Sequence, residues 1–147
     1  MIVELTMAEI MQAANVGVMR RIQRLKSGIH LRHGLKTGSE WQLFIDGALA
    51  ECAFAKFMNV YWQGCGDING DDVGEYEVRS TRHENGMLLI HKSDKDDSKY
   101  YLLTGCEGKY KVRGWMYGRD AKQDKYWRQV TERPPSFYIP QNELNPV

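Results

Sequence analysis

Cysteine is scarce. Cys52, Cys65 and Cys106 are too few and too scattered for a disulfide framework, and their odd number fits reduced thiols. Only four prolines occur, with no Gly-X-Y period, which excludes a collagen-like chain. No apolar run approaches the ~20 residues that a membrane-spanning helix needs. Charge of one sign is also missing: 20 Lys+Arg against 19 Asp+Glu leaves +1. That balance excludes histone-like proteins and acidic tails, so any polyanion would have to be held by local patches. The start, MIVELTMAEIMQAANVG, carries Glu4 and Glu9 where a secretory leader would carry positive charge. No internal repeat, low-complexity stretch or linker interrupts the chain.

What is present is ordinary for a globular protein: 42% apolar and 27% charged residues over 147 positions. A domain of this length buries roughly 68–70% of its unfolded surface, enough for one core. The expectation is a soluble cytoplasmic protein forming a single domain over 1–147, with an N-terminal helix in 1–28 and the main body in 39–147.

Charge is nonetheless uneven. Residues 1–66 hold seven Lys/Arg and five Asp/Glu, residues 67–98 hold four and nine, and residues 99–147 hold nine and five. An acidic middle between basic flanks suits carboxylates that hold a cation beside basic walls that hold phosphates. Acidic loops on a neutral protein are the blander reading of the same counts.

Thr6 and Glu9 form the Thr-x-x-Glu pattern of a capping box. Ile10, Ala14, Val18, Ile22 and Leu25 follow at helical spacing, so a helix is expected from Met7 to about Lys26, stopped at Ser27-Gly28. Its basic end (Arg20, Arg21, Arg24, Lys26) suits a helix C-terminus. A second helix is expected from about Ser39 to Asn59, either continuous or split at Gly47 with Asp46 as a cap. Beyond Asp67 the pattern changes to short strands: Tyr76–Thr81, Met87–His91, Tyr100–Thr104, Tyr110–Met116 and Ser136–Ile139. Asn85-Gly86 predicts a hairpin between the first two. Residues 117–130 read as a short helix from Asp120 to Trp127 or as a loop. Two helices followed by an antiparallel meander define a mixed α/β (α+β) fold.

On the second helix, Trp41, Phe44, Ala48, Glu51, Ala55 and Met58 share one stripe. Glu51 is a charge among apolar and small residues, costly unless paired or bound to a metal. Either it faces a cleft, or it snorkels to water and pairs with Lys56 or Arg79. In Tyr76–Thr81, strand alternation places Glu77, Arg79 and Thr81 on one face, with Tyr76 and Val78 toward the core. Asp72 precedes a turn at Gly74 that can bring it back beside Glu77. An Asp and a Glu converging at a strand bend provide oxygen ligands for Mg²⁺, and a cation two residues along would sit beside the same phosphate.

Gly47-Ala48-Leu49-Ala50-Glu51-Cys52-Ala53, then Asp72, then Glu77-Val78-Arg79 resemble, in order and spacing, the motifs of the PD-(D/E)XK nuclease superfamily. In that family a helix bearing Glu precedes a β-hairpin bearing Asp, and Glu-x-Lys lies on the next strand. Tyr100–Gly105, Tyr110–Trp115 and Phe137-Tyr138-Ile139-Pro140-Gln141 resemble later segments of small phage and bacterial members, so the resemblance spans roughly residues 40–140. It implies a restriction-endonuclease-like fold, with a mixed, mostly antiparallel central sheet flanked by helices, and metal-dependent hydrolysis of DNA phosphodiester bonds. Glu51, Asp72 and Glu77, with the Val78 carbonyl, would hold one or two Mg²⁺ or Mn²⁺ ions. Asp71 competes with Asp72 for its place. Arg79 stands where the family has Lys. A guanidinium keeps its proton and cannot act as a base, but it can orient water and stabilise transition-state charge. Arg20, Arg21, Arg24, Lys109, Lys111 and Arg113 would follow the DNA backbone, and Trp62, Trp115, Trp127 or Tyr117 could stack on bases. Enzymes of this fold often cut both strands as dimers, so a homodimer is compatible with the chain. The alternative is a catalytically inactive nuclease-fold protein that binds nucleic acid or a host protein.

Other motifs fail. Asp67-x-Asn69-x-Asp71 has Asp72 and Val78 where an EF-hand needs Gly and Glu. His30-x-x-His33 has no zinc-spaced partners, and Walker A, Gly-x-Gly-x-x-Gly and Gly-x-Ser-x-Gly motifs do not occur. Asp94, Asp96 and Asp97, interleaved with Lys92 and Lys95, read as a solvated hairpin tip without chemistry.

Overall fold

A computed structural model describes residues 1–28, 39–64, 72–130 and 132–147. The His30/His33 pair, Cys65, and Asp67 through Asp71 lie outside the described residues. The chain runs β1 (Ile2–Glu4), α1 (Met7–Ser27), α2 (Glu40–Met58), β2 (Tyr76–Thr81), β3 (Leu88–Ile90), β4 (Lys99–Cys106), β5 (Lys109–Tyr117), α3 (Gly118–Ala121), β6 (Trp127–Arg128) and β7 (Ser136–Ile139).

The capping box of α1 forms as expected: the Thr6 N–H donates to Glu9 Oε2 at 2.6 Å and the Glu9 N–H donates to Thr6 Oγ1 at 3.2 Å. Helix α2 is continuous through Gly47, and Ser39 occupies its N-cap position without a side-chain capping bond. The two helices touch backbone to backbone. A Cβ on Gly17 would stand 2.5 Å from Ile45 Cα and 2.7 Å from the Phe44 carbonyl oxygen, so only glycine permits this approach. Every residue of α2 from Ala48 to Ala55 is buried. An amphipathic stripe therefore understates this helix, because α1 covers one side and a sheet covers the other.

Among the described residues four strands form the main sheet in the order β1-β5-β4-β2, and three form a second sheet in the order β3-β7-β6. The central strand β4 feeds two cores by simple alternation. Tyr101 and Leu103 join Leu49, Phe54, Val78 and Tyr110 on the helix side. Tyr100 and Leu102 join Leu88, Ile90, Phe137 and Ile139 of the second sheet. The result is a mixed α+β architecture of three layers: helices, main sheet, small sheet.

Three expectations are corrected. Helices do not flank the main sheet on both faces; the second sheet covers one of them. The strands do not form one meander, since β2 pairs with β4 in parallel. Residues 82–98 separate those strands, enough chain for the crossover that parallel neighbours need. Asn85-Gly86 does not close a hairpin between β2 and β3, because β3 pairs with β7. A turn does form there, with the Gly86 N–H donating to the His83 carbonyl at 2.9 Å. It sends β3 into the second sheet, where Leu88 and Ile90 are fully buried. Strand β1 was not anticipated: three residues are too few for a period, and pairing with β5 defines it. Residues 117–130 hold α3, a 3₁₀ turn at Asp124–Tyr126 and the short β6, in place of one helix or a plain loop.

Candidate active site

The turn at Gly74 builds the centre of the site. Val73 and Tyr76 exchange backbone hydrogen bonds at 3.1 and 2.9 Å, closing a two-residue reversal with Gly74 at φ 59°. The reversal lays Asp72 against the outer edge of β2. Asp72 Oδ2 accepts the Val78 N–H at 2.7 Å, and the Asp72 and Glu77 carboxyls are near enough to share a hydrogen bond. Among the described residues β2 is an edge strand, so this Val78 N–H faces away from β4, and the Val78 carbonyl belongs to the same edge.

Glu51 reaches this edge from α2 and is only 6% exposed. Its partner is Arg20 of α1, bound through both guanidinium nitrogens at 2.7 and 2.8 Å. Trp62 Nε1 adds a donor at 3.3 Å. Neither Lys56 nor Arg79 pairs with it; Lys56 binds Glu9 at 2.8 Å. Arg79 instead meets Asp94 at 3.2 Å, stands 4.0 Å from both Asp72 and Glu77, and lies over the Tyr100 ring at 5.0 Å. Lys95 Nζ is 3.8 Å from Glu77 Oε1.

The electrostatics follow from crowding acids in a poorly solvated place. Burial raises the pKa of Glu51 most strongly, and the nearby Asp72 charge adds to it against the pull of Arg20. Burial likewise raises Asp72, opposed by the Val78 N–H and by Arg79 and Arg20. Burial works against the charge on Arg79, yet Asp94, Asp72 and Glu77 outweigh it and hold that guanidinium more firmly protonated than usual. Arg79 is therefore a fixed positive charge.

Glu51, Asp72, Glu77, Arg79 and the Val78 backbone thus come together, joined by Arg20. Arg21 and Arg24 share the α1 segment, but Arg21 is committed to Glu40 at 2.8 Å and to the Trp41 ring. Lys109, Lys111 and Arg113 do not join the cluster. Register places Lys111 opposite Thr104, level with Thr81 at the other end of β2 from Glu77. There Lys109 pairs with Glu4, and both Lys111 and Arg113 pair with Glu84. Of the candidate stacking residues, Trp62 is used by Glu51, Trp115 and Tyr117 flank Lys99, and Trp127 packs on Phe137. Asp94 was missed. It is no solvated tip: it caps His91 N–H at 2.8 Å and anchors Arg79. Nothing in the local pattern separates it from Asp96 and Asp97, which pair with Lys122 and Arg119.

The donor types suit a hard divalent cation: the Asp72 and Glu77 carboxylates and the Val78 carbonyl, with the buried Glu51 carboxyl near Asp72. Among the described residues, no three His, Cys, Asp or Glu side chains are gathered tightly enough to enclose an ion, and Arg20 and Arg79 supply the neutralising charge. The chemistry of the donors fits a cation, while their present spacing serves the arginines. No protein-family model, curated protein or solved structure matches this chain. Among the described residues no helix is long and apolar enough to cross a membrane.

Proposed function

We propose that this protein is a metal-dependent nuclease that hydrolyses DNA phosphodiester bonds at the outer edge of β2. One observation carries the reading: Asp72 and Glu77 are set side by side by the Gly74 reversal, with Glu51 and Arg79 at the same edge. Mg²⁺ or Mn²⁺ held by Asp72, Glu77 and the Val78 carbonyl, with Glu51 close by, would supply an activated water and a polarised phosphate.

The protein's own groups have separable roles. Arg79 presents N–H donors and a permanent charge to a non-bridging phosphate oxygen, where negative charge grows during displacement. Asp94 holds Arg79 from behind. Arg20 fixes Glu51, so that this acid keeps one orientation. Lys95, exposed beside Glu77, adds a positive charge there.

The test is incubation with single-stranded, duplex, flap and four-way-junction DNA in Mg²⁺ or Mn²⁺, with Glu77→Ala run in parallel. Cleavage by the wild type and none by the variant is the expected result. A second reading, a non-catalytic protein that grips nucleic acid on this scaffold, draws on Arg20 occupying both Glu51 oxygens. DNA retention by both proteins without cutting would favour it.

A further inference from the structure

A second cleft lies at the other end of β2, between that strand and α2. Its volume is about 500 Å³, and none of Glu51, Asp72, Glu77 or Arg79 lines it. That volume lies within the roughly 300–1,000 Å³ of small-ligand sites. Asp46 and Gly47 come from α2, Ser80, Thr81, Arg82 and His83 from β2 and its following turn, and Tyr110 and Arg133 close it.

Two features mark the cleft as built to receive something. Tyr110 is 2% exposed, and its hydroxyl meets no hydrogen-bond partner of normal geometry among the described residues. Tyr110 lines the cleft together with Asp46 and Arg82. A buried hydroxyl without a partner is costly, and a ligand acceptor would relieve it. Gly47 is the second feature. Among the described residues nothing stands within 4 Å of where its Cβ would be, so α2 leaves room where most helices would place a side chain. The charge in the walls favours an anion. Among the described lining residues, Arg82 and Arg133 stand against one carboxylate, that of Asp46, which already holds Arg82 at 2.9–3.1 Å. His83 and the hydroxyls of Ser80 and Thr81 add donors.

We propose that this cleft binds a phosphate group, with Arg133 and Arg82 supplying charge and Tyr110 donating its hydroxyl proton to a phosphate oxygen. The phosphate belongs either to a nucleic-acid strand passing along β2 or to a free or terminal phosphate. The first source rests on the nuclease reading; the second stands without it.

Binding of three probes to the 147-residue chain in EDTA, where no metal-dependent cutting occurs, tests this. The probes are inorganic phosphate, a 5′-phosphorylated single-stranded oligonucleotide and its unphosphorylated twin. The variants are Gly47→Leu, which fills the cleft, Arg133→Ala, and Tyr110→Phe, which removes only the hydroxyl. Phosphate-dependent binding that Gly47→Leu abolishes, and that Tyr110→Phe and Arg133→Ala each weaken about tenfold, is expected. Equal loss for both oligonucleotides assigns a strand phosphate, and loss confined to inorganic phosphate and the 5′-phosphorylated probe assigns a free or terminal one. Unchanged affinity in Gly47→Leu and Tyr110→Phe overturns the proposal, as does a wild type that binds none of the three. If Gly47→Leu does not fold, Tyr110→Phe and Arg133→Ala decide alone. Cleavage without this binding defeats only the cleft, and binding without cleavage defeats only the nuclease.

Discussion

Arg20 lies across Glu51 as a two-pronged clamp, Nη1 on Oε1 at 2.7 Å and Nη2 on Oε2 at 2.8 Å. The contact depends on the closeness of α1 and α2, which Gly17 permits three residues earlier. It gives a buried acid a partner on another helix. Removing one member of such a pair strands the other, so Arg20→Ala should cost about 3 kcal/mol. Adding Glu51→Gln should recover most of that loss. Urea denaturation of the two single variants and the double would show it, and simple additivity would contradict the clamp.

Helix contact gives a second expectation. Gly17→Ala gains helix propensity of about 1 kcal/mol. It also drives a methyl into the Ile45 and Phe44 backbone at 2.5–2.7 Å, which no side-chain rotation can relieve. Overpacking of this kind costs about 1–3 kcal/mol or more, so the variant should melt below the wild type. A higher melting temperature would mean that the helices separate easily.

The raised acids predict a pH dependence. Glu51 and Asp72 hold protons more tightly in the folded state than in the unfolded chain. Their contribution to stability is therefore full below the ordinary carboxylate range of about 4 and is lost as pH rises through their folded-state values. Glu9, Glu84 and Glu143 shift downward through their lysine, arginine, threonine and tyrosine partners and have the opposite slope. The comparison must then be a difference: the stability of Glu51→Gln/Asp72→Asn relative to wild type should rise between pH 4 and 8. A flat difference would show that these acids titrate normally.

Protons and metal ions compete for the same carboxylates. Stabilisation of the wild type by Mg²⁺ or Mn²⁺ should accordingly grow as pH increases, and Glu77→Ala should show little at any pH. Thermal melts across a metal titration at pH 5 and pH 8 would measure this. An equal shift in wild type and variant would place the metal elsewhere.

Arg79 separates charge from base. Arg79→Ala should lower cleavage at least about 100-fold, the scale of removing one transition-state donor. Arg79→Lys keeps the positive charge but loses the fork that spans Asp94, Asp72 and Glu77. It should retain more activity than Arg79→Ala. Equal loss in both would assign the work to guanidinium geometry and not to charge.

Local signals decided what they physically control. Thr6 and Glu9 cap α1 because both partners sit three residues apart, whatever surrounds them. Tyr76–Thr81 alternates because Tyr76 and Val78 both need the helix-side core. Asp72 could be placed beside Glu77 because a glycine-centred reversal acts over six residues. The partner of Glu51 was not legible, since Arg20 is 31 residues away on another helix. Asp94 was hidden for the same reason: only the crossover from β2 to β4 brings it to Arg79.

The sequence by itself determined the two long helices, most strands and the Gly74 reversal that sets Asp72 beside Glu77, because capping, alternation and turn chemistry are short-range. Only the tertiary structure decided the parallel pairing of β2 with β4, the second sheet, the Arg20–Glu51 clamp and the Gly47–Tyr110 cleft. Those depend on which apolar faces find each other across the whole chain, and burial then sets which charges must be neutralised and by whom.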